Sequence, residues 1–338
     1  MQEDLFADAV DQLLKGHCSP KVVRSIEAGQ PAEALWAQLE NAGFADAMVQ
    51  EVDGGAGLSL SQVYGVWSLC GSHALPVPLA ETMVARALVS RVGRAHPAGP
   101  IALAEGRLME DGSLTCPVVR LGKVAQAVLV QHQAGWQLLH MAEAASEPAA
   151  FCLDTRSRWI AAQVSAAPSL EIALPDGLDL RTMQACLTAA QLAGALMHTF
   201  ERTLNFANER TQFGRPIGKF QAIQHQLAVM SEHVFAARMA AQLGCAGNGM
   251  FPDWLRVAVA KARCSQAALL VAESGHAIHG AIGFTEEYDL QLMTRRLHAW
   301  RQTAGSESYW HAVAGTALVD GHQACTLDLL RATTDVND

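Results

Sequence analysis

The feature that most constrains this chain is a set of apolar faces repeating at three- and four-residue steps beyond Pro175. Leu187, Ala190, Gly194, Met197, Glu201, Leu204 and Asn208 mark one face, and Phe220, Ile223, Leu227, Met230, Val234 and Ala237 a second. Trp254, Val257, Lys261, Cys264, Ala268, Val271, Gly275 and Ile278 form a third, opened by Asp253 as N-cap. A last helix is expected from near Ser306 to Arg331. Stripes on several long helices must be buried against one another, and short connections make neighbours antiparallel. The pattern therefore predicts an up-and-down bundle over residues 176–338.

Residues 1–96 also read as helices. Leu5, Val10, Leu13 and Leu14 make one apolar face, and Leu35, Trp36, Leu39 and Phe44 another. Gly54-Gly55-Ala56-Gly57-Leu58 interrupts them, Ser59 or Ser61 is placed to cap the next helix, and Pro76 and Pro78 punctuate before 79–92. From 97 to 175 the texture changes to strand-length runs at 101–104, 116–119, 127–130 and 136–139, separated by Gly, Asp or Ser. They predict a small antiparallel β-domain of about seventy residues. The expected fold is α+β and mostly α, in three parts: an N-terminal helical domain (1–96), a reduced β-domain (97–175) and the C-terminal bundle (176–338).

Half of the 338 residues are hydrophobic, enough for a large core. The net charge of −9 comes from interspersed acids and bases, with no basic patch to favour nucleic acid. Eight scattered cysteines (Cys18, Cys70, Cys116, Cys152, Cys186, Cys245, Cys264, Cys325) include no Cys-x-x-Cys pair, and no cationic-then-apolar leader is seen. The expectation is a cytoplasmic protein whose thiols mostly pack as small apolar groups. No apolar run of about eighteen residues occurs, so no membrane span is expected. His276 and His279 lie three apart without a third ligand at sensible spacing, so no metal is expected.

Between the first two helical faces lies 210–224, reading Arg-Thr-Gln-Phe-Gly-Arg-Pro-Ile-Gly-Lys-Phe-Gln-Ala-Ile-Gln. After the third face comes 279–288, His-Gly-Ala-Ile-Gly-Phe-Thr-Glu-Glu-Tyr, followed by Leu292-Met293-Thr294-Arg295-Arg296-Leu297. Both segments resemble the signature turns of acyl-CoA dehydrogenases, and 54–58 and 75–79 resemble weaker landmarks of that family. The resemblance covers most of both helical regions and implies FAD as cofactor and an acyl-CoA thioester as substrate. It also implies that these turns reach across a subunit interface to a neighbour's FAD. The chemistry agrees. Arg210 offers a planar fork for a diphosphate, and Pro216 is placed to start a helix whose free amides favour an anion. Phe213 can pack on a flat heterocycle, Gln212 and Gln221 supply donors and acceptors, and Gly280 with Ala281 lets backbone come close. Ser306 and Ser308 correspond to family positions that hydrogen-bond the same cofactor, although a serine at a helix start also fits a cap.

Elsewhere the chain departs from the family. α,β-Dehydrogenation needs a carboxylate to take the α-proton while hydride leaves the β-carbon for the flavin, together with groups that polarise the thioester. Counting from Gly283-Phe284 and Tyr288 puts the usual base position at Ala304, before Gly305. Counting back from Arg210 puts the alternative position at Gln184. Neither a methyl group nor an amide is a base. Glu307, three residues on, and Glu201 are the substitutes. The β-region lacks the family's flavin-edge Thr-Glu and Gly-Ser-Asp motif and its Trp-Ile strand. Ala104-Glu105-Gly106 is at best a relic, Trp136 and Trp159 are in other settings, and Ala277 stands where a Gln often contacts adenosine.

What reaches a partner's FAD is kept, and what serves the chain's own flavin ring is lost. The resemblance is thus to the shorter subunit of heterotetrameric acyl-CoA dehydrogenases, several of which act on steroid side-chain CoA thioesters. It implies a longer acyl-CoA dehydrogenase subunit as partner and an electron-transfer flavoprotein as acceptor. Two alternatives stay open: a stand-alone homo-oligomeric dehydrogenase with an atypical base, and a flavin-free structural subunit.

Overall fold

The computed structural model describes residues 2–320 and 326–335; Cys325 and the middle of the expected last helix lie outside them. Helices α1 (Gln2–His17), α2 (Pro20–Glu27), α3 (Glu33–Asn41), α4 (Leu60–Ser72) and α5 (Leu79–Arg91) come first. Then follow β1 (Ile101–Glu105), β2 (Arg107–Leu108), β3 (Leu114–Val119), β4 (Ala127–His132), β5 (Gly135–His140), β6 (Ala145–Pro148), β7 (Thr155–Trp159), α6 (Ala161–Ala166) and β8 (Ser169–Leu170). The remainder is α7 (Leu180–Glu209), a short pair β9 (Thr211–Gln212) and β10 (Arg215–Pro216), α8 (Gln221–Gly244), α9 (Trp254–His279), α10 (Leu290–Trp300), α11 (Glu307–Asp320) and α12 (Thr326–Thr334). The mostly helical α+β class is as the sequence predicts. Among the described residues, no helix is long and apolar enough to cross a membrane.

The chain forms two compact units, Met1–Val66 with Leu75–Gln184, and Trp67–Ala74 with Ala185–Asp338. The expected boundary at 96 falls inside the first unit, and the one at 175 precedes a division that lies within α7. In the first unit α5 is buried from Leu79 to Val89, so it lacks a solvent face. Its polar residues are therefore paired. Arg120 meets Glu81 at 3.1 Å, and Thr82 Oγ1 accepts from the Ile101 N–H at 2.9 Å. Arg86 donates to both carboxylate oxygens of Asp46 (3.0 and 3.1 Å), to Glu40 and to the Gly99 carbonyl (3.0 Å).

All four expected strand runs are present, but the region is not purely antiparallel. The sheets have orders β1-β4-β5-β8 and β2-β3-β7-β6, and β1 pairs with β4 in parallel, Ile101 opposite Ala127. The chain leaves β1 to build β2 and β3 in the other sheet, and a return by such a crossover brings β4 back in the same direction. Ala102, Val128, Leu139, Leu114, Cys116 and Trp159 share one core. Strand β7 escapes an apolar-run reading because it alternates, Thr155, Ser157 and Trp159 inward with Arg156 and Arg158 outward.

In the second unit α8, α9, α10 and α11 pack with the later part of α7 around small residues, among them Ala190, Ala237, Ala260 and Ala268. Asp253 caps α9 as expected, accepting from the Arg256 N–H at 2.8 Å. Pro216 does not begin the next long helix. It closes the β9–β10 pair and precedes a single 3-10 turn, Ile217–Lys219, after which Phe220 is the N-cap of α8. The described part of the last expected helix is two segments, α11 and α12, on either side of residues 321–325. No disulfide joins the seven described cysteines, and all but Cys152 are buried. Burial pushes the Cys116 and Cys264 thiols up to about 12.

Candidate functional site

The first signature turn follows directly from how α7 stops. The Arg210 N–H donates to Phe206 O, and Ile217 N–H returns to Arg210 O, both at 2.8 Å, closing a loop around the two-residue hairpin of β9 and β10. Its corner residues, Phe213 and Gly214, have φ of 53° and 80°. Two positive values suit a hairpin that follows strand twist, but a side chain in the left-handed region costs about 1–2 kcal/mol. Phe213 meets that cost while 93% exposed, its ring set edge-on to that of Phe220 with centroids 6.1 Å apart. Arg215 lies over the Phe220 ring at 4.3 Å. Arg210, Gln212 and Gln221 are exposed, and among the described residues no carboxylate pairs with Arg210. The Gln212 side-chain amide donates locally to the Thr211 carbonyl at 2.8 Å.

The second turn follows α9. Gly280 has φ 66° and ψ −146°, a backbone state that essentially excludes side chains, and open space surrounds the position where a Cβ would sit. Ala281 and Phe284 are exposed beyond it, Phe284 stacking on His276 at 4.4 Å. His279, just before Gly280, stacks on Phe206, one turn before Arg210, at 4.3 Å. That contact holds both turns at the same end of the bundle. Burial pushes both imidazoles below the usual histidine value, with neighbouring His298 adding to the effect at His276. Glu273, His276, Ala277, Gly280, Phe284 and His298 line an open cleft of ≈ 610 Å³. Among the described residues no group of three His, Cys, Asp or Glu is arranged to hold a metal ion.

The third element is the reversal between α10 and α11. Ala304 and Gly305 have φ of 54° and 102°. The Ala304 carbonyl accepts from the Trp310 indole N–H at 2.9 Å, and those of Arg301 and Gly305 accept from the buried Lys261 ammonium at 3.0 and 2.9 Å. Ser306 caps α11, its hydroxyl accepting from the Tyr309 N–H at 3.3 Å, while Ser308 is exposed. Glu307 forms an ion pair with Arg301. Burial pushes its carboxyl up, but hydrogen bonds from its own N–H and from Arg301, with the charges of Arg301 and Lys261, hold it below the usual value. A carboxylate so held is a weaker base than a free one. Gln184 is tied to the Leu103 carbonyl at 3.0 Å. Glu201 lines another open cleft with Arg202, Asn205, Glu209 and Tyr288, beside His198, whose imidazole burial pushes down to about 4.

These residues fit FAD by one end only. An unpaired guanidinium, an exposed aromatic held in a strained backbone and a glycine facing open space are what a diphosphate and a purine require. For the flavin ring the β-sheets offer no exposed tryptophan, since Trp136 and Trp159 are 4% and 0% exposed in the core. Periodicity gives no partners for Lys261 or Arg86, both of which the fold buries in hydrogen-bonded networks. The visible signal for Lys261 was a lysine on an otherwise apolar helical face.

Residues 182–315 match the model of the acyl-CoA dehydrogenase C-terminal domain. Over 308 residues the chain is 30% identical to acyl-CoA dehydrogenase IpdE2 of Mycolicibacterium smegmatis, covering 90% of this chain and 94% of that protein. IpdE2 of Mycobacterium tuberculosis is 29% identical over 89% of the chain and 92% of its own length. Among solved structures, the steroid acyl-CoA dehydrogenase Tcur3481–Tcur3483 superposes with a TM-score of 0.80 at 26% identity, over 95% of this chain and 98% of the matched one. A chain of the ChsE4–ChsE5 complex of Mycobacterium tuberculosis gives 0.76 at 19% identity over the same shares, a likeness of fold. On the extent of these matches the chain belongs to the acyl-CoA dehydrogenase family, whose cofactor is FAD.

Proposed function

We propose that this chain is one subunit of a hetero-oligomeric, FAD-dependent acyl-CoA dehydrogenase, completing a partner subunit's FAD site without supplying the catalytic carboxylate. The observation that carries this reading is the turn at Ala304. A methyl group stands on a rigidly held left-handed reversal, and Glu307, the acid nearest in sequence, is bound to Arg301. Support also comes from the two-protein names of the Tcur3481–Tcur3483 and ChsE4–ChsE5 structures.

In this reading Arg210 holds the diphosphate by its two-pronged guanidinium, with Gln212 and Gln221 hydrogen-bonding beside it. Phe213 packs on the adenine side, and Gly280 and Ala281 bring backbone against the nucleotide. Ser306 and Ser308 add hydroxyls. When bound, FAD supplies the acceptor for the β-hydrogen. The α-proton goes to a base that this chain does not provide. The favoured substrate class is a bulky polycyclic acyl-CoA, on the likeness to a steroid acyl-CoA dehydrogenase, with an electron-transfer flavoprotein as acceptor.

The test is purification through a tag on this chain. Expressed alone it is expected to be colourless or to aggregate; co-expressed with a longer acyl-CoA dehydrogenase subunit it is expected to yield a yellow complex. A yellow, active homo-oligomer from this chain alone overturns the reading. Glu307→Gln in the complex is expected to leave turnover within about twofold and to cost about 1 kcal/mol of stability through the weakened bond to Arg301. Loss of turnover with flavin still bound makes Glu307 the base instead.

A further inference from the structure

Lys261 is fully buried in the middle of the apolar face of α9, yet none of the chemistry above uses it. Its ammonium spends three donors on three oxygens: Ser265 Oγ at 2.8 Å, Arg301 O at 3.0 Å and Gly305 O at 2.9 Å. Ser265 Oγ in turn donates to Arg301 O at 3.1 Å. Arg301 is the C-cap of α10, where unpaired carbonyls gather partial negative charge and a cation is favoured. The Trp310 indole N–H also donates to Ala304 O, at 2.9 Å. Gly305 leaves no slack, since a Cβ there would lie 2.7 Å from Trp310 Nε1 and 2.7 Å from Tyr309 Cδ1.

Withdrawing an ammonium from water is costly, and an apolar side chain of similar volume often serves stability as well or better. What only a lysine supplies at this place is a directional tie between two carbonyls of one reversal. We propose that Lys261 is the positioning residue of the 301–305 turn, fixing its left-handed path so that Ser306 and Ser308 are presented to the FAD. The proposal rests on the reading above for the cofactor, but its geometric half does not.

Lys261→Met in the co-expressed complex tests it, with amide hydrogen exchange of the 301–311 segment and flavin retained after gel filtration as the two readouts. Exchange in that segment is expected to rise about tenfold or more while the rest of α9 and α10 keeps its protection, and flavin retention is expected to fall. Ser265→Ala, which removes one acceptor and one tie to Arg301 O, is expected to move both readouts in the same direction by less. It carries the test should the methionine variant fail to fold. Unchanged exchange in 301–311, or exchange raised equally across the bundle, overturns the proposal and leaves Lys261 a core residue. Raised local exchange with wild-type flavin retention in both variants overturns the link to the cofactor. The subunit reading itself fails separately, if Arg210→Ala leaves flavin content untouched.

Discussion

Arg210→Ala in the co-expressed complex is expected to strip most of its flavin. Among the described residues nothing in this chain engages the guanidinium ionically, and it stands at the end of the bundle shared with Phe213 and Gly280. Its removal therefore leaves the fold almost untouched. A hydrogen bond to a charged group contributes about 1.5–3 kcal/mol, which corresponds to about 10- to 150-fold in cofactor affinity. Arg210→Lys should recover only part of this, because an ammonium keeps the charge and loses the paired geometry. The flavin-to-protein ratio after gel filtration measures the effect, with the melting temperature of the complex in excess FAD as the check on folding. A complex that keeps its full flavin content after Arg210→Ala shows that this turn does not hold the cofactor.

Arg86→Met is expected to destabilise the first unit by about 3 kcal/mol, the low end of the range for removing one partner of a buried pair. Arg86 is 2% exposed and carries the only described contacts between α5 and the carboxylates of Glu40 and Asp46. Those acids remain 27% and 31% exposed, so water recovers part of the loss once the guanidinium is gone. The Gly99 carbonyl also loses its donor. Urea unfolding followed by the midpoint at unchanged slope reads the difference. Acid behaviour provides a second signature. Burial pushes the Glu40 carboxyl up, but hydrogen bonds from Arg86, the Gly99 N–H and the Trp36 indole outweigh it and hold it below its ordinary value. A depressed folded value contributes stability that is present above the unfolded value and lost as pH falls through the folded one. The variant should therefore lose less stability than the parent between those two values. A midpoint within experimental error of the parent's contradicts this account of the network.

Much of the molecule was legible because it is written locally. The faces of α8 and α9, the Asp253 cap and four strand runs follow from periodicity and composition, which neighbours in sequence enforce on one another. On α7 the expected face holds through Gly194 and then gives way to Thr199, Thr203 and Ala207, leaving Glu201 and Asn208 exposed. The signature at 210–224 was legible for the same reason: its turn is made by its own Gly214 and Phe213 and closed by a bond between Arg210 and Ile217. What misled was equally local. Pro216 looks like a first helical residue, yet the β9–β10 pairing takes it before a helix can begin. Glu307 reads from the sequence only as a candidate substitute base; its pairing with Arg301 across a reversal is something no spacing rule gives.

The amino-acid order by itself determined that this is a mostly helical acyl-CoA dehydrogenase-like chain, with segments at 210–224 and 279–288 that resemble the family's signature turns. Tertiary structure alone decided that β1 and β4 run in parallel, that α5 is buried from Leu79 to Val89, and that Lys261 and Trp310 both bind carbonyls of one turn. The physical reason is the range of the forces concerned. Periodicity and capping act over a few residues, whereas desolvation of a charge and the pairing of its donors depend on groups brought together from distant parts of the chain.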